Sequence, residues 1–197
     1  MFRPQEIMKG KILPRSFYNR PAVVVARELL GKVMWRDNTA GIIVETEAYP
    51  GGDDLASHSA AGITKRTRVI FGPPGHAYVY FCYGMHVCMN VVADAEGSAG
   101  CVLIRALQPI AGLDTMQSRR AAARNERQPS SGPARLTQAL GITLEDYGAD
   151  LTRGEFVIRE PAKPMKFEIE VTPRIGISKC EDRPLRFVIR DSEFLSA

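Results

Sequence analysis

Histidine is scarce in this 197-residue chain, with three in all, and the four cysteines form no Cys-x-x-Cys pair. A structural zinc site needs nitrogen and sulfur donors grouped at short spacing, so none is expected. Four cysteines are also too few to staple a chain of this size. Cys82, Cys88 and Cys101, inside apolar, strand-like runs, are read as small buried thiols; the fourth cysteine is Cys180. No apolar run approaches the length of a bilayer-spanning helix, so no membrane partner is expected. Arg3, Lys9 and Lys11 have no apolar segment behind them. A signal peptide is therefore not expected, and the expected compartment is the cytoplasm. Internal repeats and breaks in composition are absent too. One domain over residues 1–197 is expected, with 1–14 an irregular lead-in.

What is present is ordinary for a globular domain: 45% hydrophobic and 24% charged residues. Lysine and arginine outnumber the acids 26 to 22, a net charge of +4 that suits an anionic partner without requiring one. Pro21, the apolar spacing from Ala22 to Leu30, and Gly31 predict a helix with its start and stop. Strands are predicted over Lys32 to Arg36 and Gly41 to Tyr49, around a turn at Asp37-Asn38-Thr39. The stretch from Pro50 to Pro74 has no clear period and is long for a connection, as functional loops are. Ala77 to Val92 reads as a hairpin, with Gly84 suited to a two-residue type II′ turn. That turn would set Tyr83 opposite His86 and Phe81 opposite Cys88. Gly100 to Leu107 is a further strand, closed by Pro109. Helices follow over Leu113 to Ala123 and from Ser131-Gly132-Pro133 to Leu140. Strands at Phe156 to Arg159, Phe167 to Val171 and Leu185 to Arg190 complete an α+β domain with a mainly antiparallel sheet.

Four features could carry chemistry. In Ile43-Val44-Glu45-Thr46-Glu47-Ala48-Tyr49, strict alternation puts Ile43, Glu45, Glu47 and Tyr49 on one face. Two carboxylates beside an aromatic ring suit a reactive site, although on this stretch alone a solvated strand face is the commoner explanation. The run Tyr78 to His86 is dense in aromatics and ends in a tight tip. Tyr83 and Met85 there have the character of a wedge that fills a gap in stacked bases; the bland alternative is a tip packed on its own domain. Arg105 interrupts the apolar run Cys101 to Leu107 and needs a partner such as Glu47 if buried. Lys65, Arg66 and Arg68, and later Arg119, Arg120, Arg124, Arg127 and Arg135, form basic clusters able to meet phosphates or simply water.

Taken in order, several blocks resemble the alkyladenine (3-methyladenine) DNA glycosylase family. They are Ile43 to Tyr49, Ala56-Ser57-His58-Ser59, Tyr78-Val79-Tyr80 with Tyr83-Gly84-Met85, Cys88-Met89-Asn90, Cys101 to Leu107, Ser131-Gly132-Pro133 and Arg183 to Phe187. The resemblance implies a single compact α+β domain with a curved, mainly antiparallel sheet, flanking helices and a protruding, DNA-intercalating hairpin. It implies Glu47 as the general base and Arg105 as the arginine holding water and carboxylate. Tyr49, His58 and Tyr80 would wall the base pocket. Asn90 would crowd the amino group of guanine. Tyr83 would intercalate, with Met85 beside it. Lys65, Arg66, Arg68 and Arg135 are candidates for the DNA backbone. The implied partner is duplex DNA carrying 3-methyladenine, 7-methylguanine, hypoxanthine or ethenoadenine. The implied enzyme is a monomeric base-excision-repair hydrolase without cofactor or metal, associated with a bacterial nucleoid.

If Tyr80 and Asn90 line one pocket, the hairpin must carry a bulge or a turn longer than two residues. No lysine lies in the blocks around Glu47, which argues for water rather than an amine as nucleophile. Two other readings are a lesion-binding protein without catalysis and an unrelated metal-dependent hydrolase.

Overall fold

In the computed structural model, residues 10–82, 84–120 and 128–196 are described. The fold is organised around β2 (Thr39–Tyr49), whose eleven residues are all buried. Along one edge it is bonded to β5 (Gly100–Ala111). Along the other it pairs first with β1 (Val33–Arg36) and then, over Glu45 to Glu47, with β8 (Arg186–Ile189). With β3 (Ala77–Cys82), β4 (His86–Ala93) and β6 (Phe156–Arg159), the order across the sheet is β3-β4-β5-β2-β1-β6. A seventh strand, β7 (Ile169–Thr172), joins through β8, and every pairing between strands is antiparallel. This is the expected α+β class.

Among the described residues there are four α-helices: α1 (Arg15–Tyr18), α2 (Ala22–Leu29), α3 (Leu113–Arg119) and α4 (Pro133–Leu140). Helix α2 buries Ala22, Val25, Ala26 and Leu29, the spacing of one helical face. These residues share a core cluster with Ile43, Ala48, Val102, Ile104 and Leu107 of the sheet, and with Met116 and Leu136 of α3 and α4. The opposite side of the sheet carries two other clusters. One contains Tyr49, Tyr78, Cys88, Cys101 and Leu103, the other Val33, Ala40, Ile42, Val44 and Ala106.

Strict alternation along β2 fails at one point. Ile43 joins the helix-side core rather than the face of Glu45, and Thr46 bonds the Ala26 carbonyl of α2 at 2.8 Å. The register shifts between Ile43 and Glu45, and again between Glu45 and Thr46, where β5 passes from Ala106 to Ile104. Val44 is thus bulged on β2 and Arg105 on β5. Each bulge sets two consecutive residues on one face, which brings Glu45, Glu47 and Tyr49 opposite Arg105.

Other boundaries moved for identifiable reasons. Pro109 does not close β5, which runs on to Ala111. It sits opposite Gly41 beside a further register shift, where a ladder can spare an N–H. The lead-in is not wholly irregular: Ile12 bridges Arg159, and the Leu13 N–H reaches the Ile158 carbonyl at 2.9 Å. The hairpin pairs Tyr78 with Asn90, Tyr80 with Cys88 and Cys82 with His86. The connection 83–85 is therefore one residue longer than a two-residue turn, with Gly84 at φ +72°. That extra residue moves Asn90 onto the face of Tyr80.

Ile43 is fully buried under α2, so Ile43→Ala should cost about 2–4 kcal/mol of folding stability. Urea denaturation will show this as a lower midpoint at unchanged slope.

Candidate active site

Glu45 and Glu47 are both fully buried. A buried carboxylate is tolerable only when paired and hydrogen-bonded. Glu47 Oε1 lies 3.2 Å from Arg105 Nη1 and accepts the Ile175 backbone N–H at 2.7 Å. Its Oε2 accepts the Tyr49 hydroxyl at 2.9 Å. Burial pushes the Glu47 carboxyl above its ordinary value, against the opposing pull of Arg105, the Ile175 N–H and the Tyr49 hydroxyl.

Glu45 is held more completely. Its Oε1 accepts from Arg105 Nε at 2.9 Å, from Arg186 Nε at 2.7 Å and from the Ser196 hydroxyl at 2.8 Å. Its Oε2 accepts the Ser196 backbone N–H at 2.7 Å. Burial alone would raise Glu45. The Ser196 N–H, Arg186 and Arg105 outweigh it and hold the carboxyl below its ordinary value. Two carboxylates two residues apart are thus shifted in opposite directions. Glu45 is a fixed anion that anchors the arginines. Glu47 is the one with raised proton affinity, the property acid–base chemistry uses.

A cavity of about 590 Å³ opens over this group, within the size range of small-molecule sites. Tyr49, Arg105 and Ile175, the partners of Glu47, line it, and Glu47 lies directly beneath them. His58, Tyr80 and Asn90 also line it, so the predicted pocket residues are brought together. The Tyr80 ring stacks on Tyr78 at 4.9 Å between centroids, and His58 meets Tyr80 edge-on at 4.7 Å. Asn90 donates through Nδ2 to Cys101 Sγ at 3.0 Å, while its buried Oδ1 has no partner among the described residues. The four cysteines are free thiols: Cys88 and Cys101 are buried as expected, whereas Cys82, near the hairpin tip, is only part-buried, as is Cys180.

The basic residues divide. Arg66 lines the cavity, its guanidinium 5.1 Å from the Tyr80 ring centre. Lys65, Arg68 and Arg135 are exposed, and Arg135 extends one bond to the Ser131 carbonyl at 3.4 Å. Arg119 and Arg120 bond the Ala139 carbonyl and Gln138 at the end of α4, which gives them a structural use. Met85 is 73% exposed and Phe81 53%. Tyr83, Arg124 and Arg127 lie outside the described residues.

Sequence reasoning missed Arg174, Asp54, Ile175 and Ser196, and saw Arg186 only within a motif block. Arg174 is buried and grips Asp54 with two bonds of 2.6 and 2.8 Å. Nothing local marks it, since a single arginine in an irregular run reads as surface. Ile175 acts through its backbone and carries no side-chain signal.

Comparisons with known proteins give the family. A family model described as methylpurine-DNA glycosylase (MPG) matches residues 16–193. Relatives from Methanoculleus marisnigri, Koribacter versatilis and Rhodopseudomonas palustris, each provisionally named a 3-methyladenine DNA glycosylase, are 49%, 48% and 50% identical to it. The matches span 93%, 93% and 95% of this chain and 98%, 92% and 89% of theirs. The chain belongs to the DNA glycosylases, and among them to the methylpurine-DNA glycosylase family.

One hydrogen-bond chain bears on the tautomer of His58. Arg66 Nε donates to the Tyr78 hydroxyl at 3.2 Å, and that hydroxyl is 2.9 Å from His58 Nδ1. Arginine can only donate, so the tyrosine proton is free to point at Nδ1, leaving the histidine proton on Nε2. Loss of hydration and the Arg66 charge both lower the His58 pKa from its ordinary 6.5. The unfolded chain takes up that proton first, so this group makes stability fall as pH drops below about 6.5. Nitrogen NMR of the ring should report a neutral Nε2–H tautomer at pH 7. Arg66→Gln should move its titration back up towards 6.5.

Proposed function

We propose that this chain removes alkylated and deaminated purines from duplex DNA: 3-methyladenine, 7-methylguanine, hypoxanthine and ethenoadenine. The damaged nucleotide is flipped into the cavity and its N-glycosidic bond is hydrolysed, leaving an abasic site for base excision repair. The observation that carries this reading is Glu47, a buried carboxylate of raised proton affinity beneath an aromatic-walled cavity, with Arg105 at 3.2 Å.

Glu47 takes a proton from water as the water oxygen bonds to C1′ of the sugar. The C1′–N bond breaks, and its electron pair leaves with the base. A purine methylated at N3 or N7 is cationic while attached, so it departs neutral and needs no acid. As C1′ gains oxocarbenium character, the carboxylate also stabilises it. Arg105 favours the ionised carboxylate and limits its rotation. Tyr49, His58 and Tyr80 stack on the flipped base, best on an electron-poor ring. Asn90 crowds the amino group of an undamaged guanine. Tyr83 and Met85 fill the vacated stack, a role that the exposure of Met85 supports. Lys65, Arg66, Arg68 and Arg135 meet phosphates, and the enzyme acts as a metal-free monomer.

Single-turnover base release from duplexes carrying each lesion, with chelator present, tests this. Glu47→Gln should bind DNA as wild type does and release base slower by on the order of 10²–10⁴-fold. The wild-type rate should climb with pH along an acid limb placed above the 4.5 of an ordinary glutamate, because the base works ionised and its pKa is raised. The limb should be missing in Glu47→Gln. Equal release by both proteins would move the base elsewhere, and binding without release by either would leave a lesion-binding protein. Loss of wild-type release to chelator alone would make the enzyme metal-dependent.

A further inference from the structure

Part of the wall of the cavity over Glu47 comes from two segments without regular strand structure. One is the loop that supplies Leu55, Ala56 and His58, and the other supplies Ile175, Gly176 and Ile177. Among the described residues, no backbone–backbone hydrogen bond is formed by Pro173 to Lys179. Side chains must therefore hold this second segment against the sheet. Arg174 does so from a fully buried position. Its two bonds to Asp54 tie it to the first loop, where the Asp54 carbonyl accepts the Ser57 N–H at 2.9 Å, just before His58. Its Nη1 also donates to the Ala48 carbonyl of β2 at 3.1 Å, and its guanidinium lies 4.6 Å from the Tyr49 ring centre. The next residue along is Ile175, whose N–H bonds Glu47 Oε1 at 2.7 Å.

We infer that Arg174, clamped by Asp54, is a positioning residue for the reaction. It acts through the Ile175 N–H and the Tyr49 ring to hold the Glu47 carboxylate in its working geometry and ionised. This rests on Glu47 being the base.

The geometry explains why an arginine is needed. A bidentate grip on Asp54 and a flat cation behind Tyr49 both require the planar guanidinium, which lysine lacks. The bonds to Asp54 and Ala48 fix the residue from two sides. The angle at which the Ile175 N–H meets Glu47 then has little freedom. The charged and titratable groups around Glu47 are Glu45 and Tyr49 on β2, Arg105 on β5, Arg186 on β8 opposite Glu47 in register, and Arg174 itself. Loosening Arg174 withdraws an N–H donor and moves a cation. Both changes favour the protonated carboxyl.

The test compares wild type, Arg174→Lys and Asp54→Asn in single-turnover base release across pH, beside DNA affinity and thermal unfolding. Both variants should bind lesion DNA within about threefold of wild type and release base roughly tenfold slower or worse at neutral pH. Their acid limb should move up by about half a unit or more, so that raising the pH recovers part of the rate. An acid limb at the wild-type position would overturn the proposal, whether the rate falls through weaker binding, falls with stability, or does not fall. If Arg174→Lys does not fold, Asp54→Asn decides alone, since it keeps the shape of the side chain and one acceptor oxygen. Glu47→Gln run alongside separates the two ideas. If that variant remains active, the assignment of the base has failed. If it is inactive while the Arg174 and Asp54 variants keep the wild-type limb, only the positioning role has failed.

Discussion

The structure depends on one guanidinium between two buried carboxylates. Arg105 reaches Glu45 at 2.9 Å and Glu47 at 3.2 Å, with its side chain 8% exposed. Alone it would leave the cluster negative. Arg186 on the neighbouring strand supplies the second positive charge through Glu45. Two ionised glutamates and two arginines then sum to zero inside the domain. Breaking one partner of such a set strands a charge away from water, an effect on the scale of 3–5 kcal/mol. Such a cluster is weak as a source of stability and strong as a constraint. The chain must bring β2, β5, β8 and the Ser196 end together for any one of these charges to be tolerable.

That constraint accounts for the paired bulges. A regular ladder through Ile43 to Thr46 would set Glu45 and Glu47 on the face of Ile43, which belongs to the core under α2. Bulging Val44 turns the carboxylates to the other side. Bulging Arg105 on β5 turns the guanidinium to the same side, while Ile104 and Leu107 stay in the core. Neither bulge is useful alone, because one without the other would bury a charge opposite an apolar surface. The twist that bulges add to a strand also suits a sheet that curves over a cavity.

Much of this was legible in the sequence because apolar periodicity is a local signal. Helix α2 and strands β1, β2 and β6 lie within a few residues of expectation, and the Glu45-Glu47-Tyr49 face was readable from alternation alone. Ile43 was misassigned to that face because a bulge leaves no mark in a pattern of apolar residues. The two-residue hairpin turn was wrong by one residue, since Gly84 at positive φ fits either loop length. The α1 turn, at four residues, is too short to show a period. Arg174 and Ile175 escaped for a different reason. Their roles come from contacts across 120 residues or more of chain, and one of the two groups is a backbone N–H. The ordered motif blocks compensated for the floor of the site and for the aromatic walls. They include nothing of the segment 173–179, which lines the cavity beside them.

The opposite shifts of Glu45 and Glu47 separate holding the site from doing its chemistry. Glu45 has no proton to exchange, because four donor bonds from three residues saturate it. Glu47 has fewer donors and shares its guanidinium, so burial dominates and its proton affinity rises. On the proposed function this leaves the base responsive to what enters the cavity. An alkylated purine carries its positive charge into the space above Arg105 and Tyr49. That charge would favour the ionised form of Glu47, so on the proposal such a substrate assists the base it needs. Hypoxanthine and ethenoadenine bring no charge and give no such help. On this proposal Glu47 then relies on Arg105, the Tyr49 hydroxyl and the Ile175 N–H, and the departing purine needs a proton from a general acid that a cationic lesion does not need. On that proposal the donors around Glu47 are what would let one cavity serve both cationic and neutral lesions, and the margin they supply would matter most where the substrate contributes least.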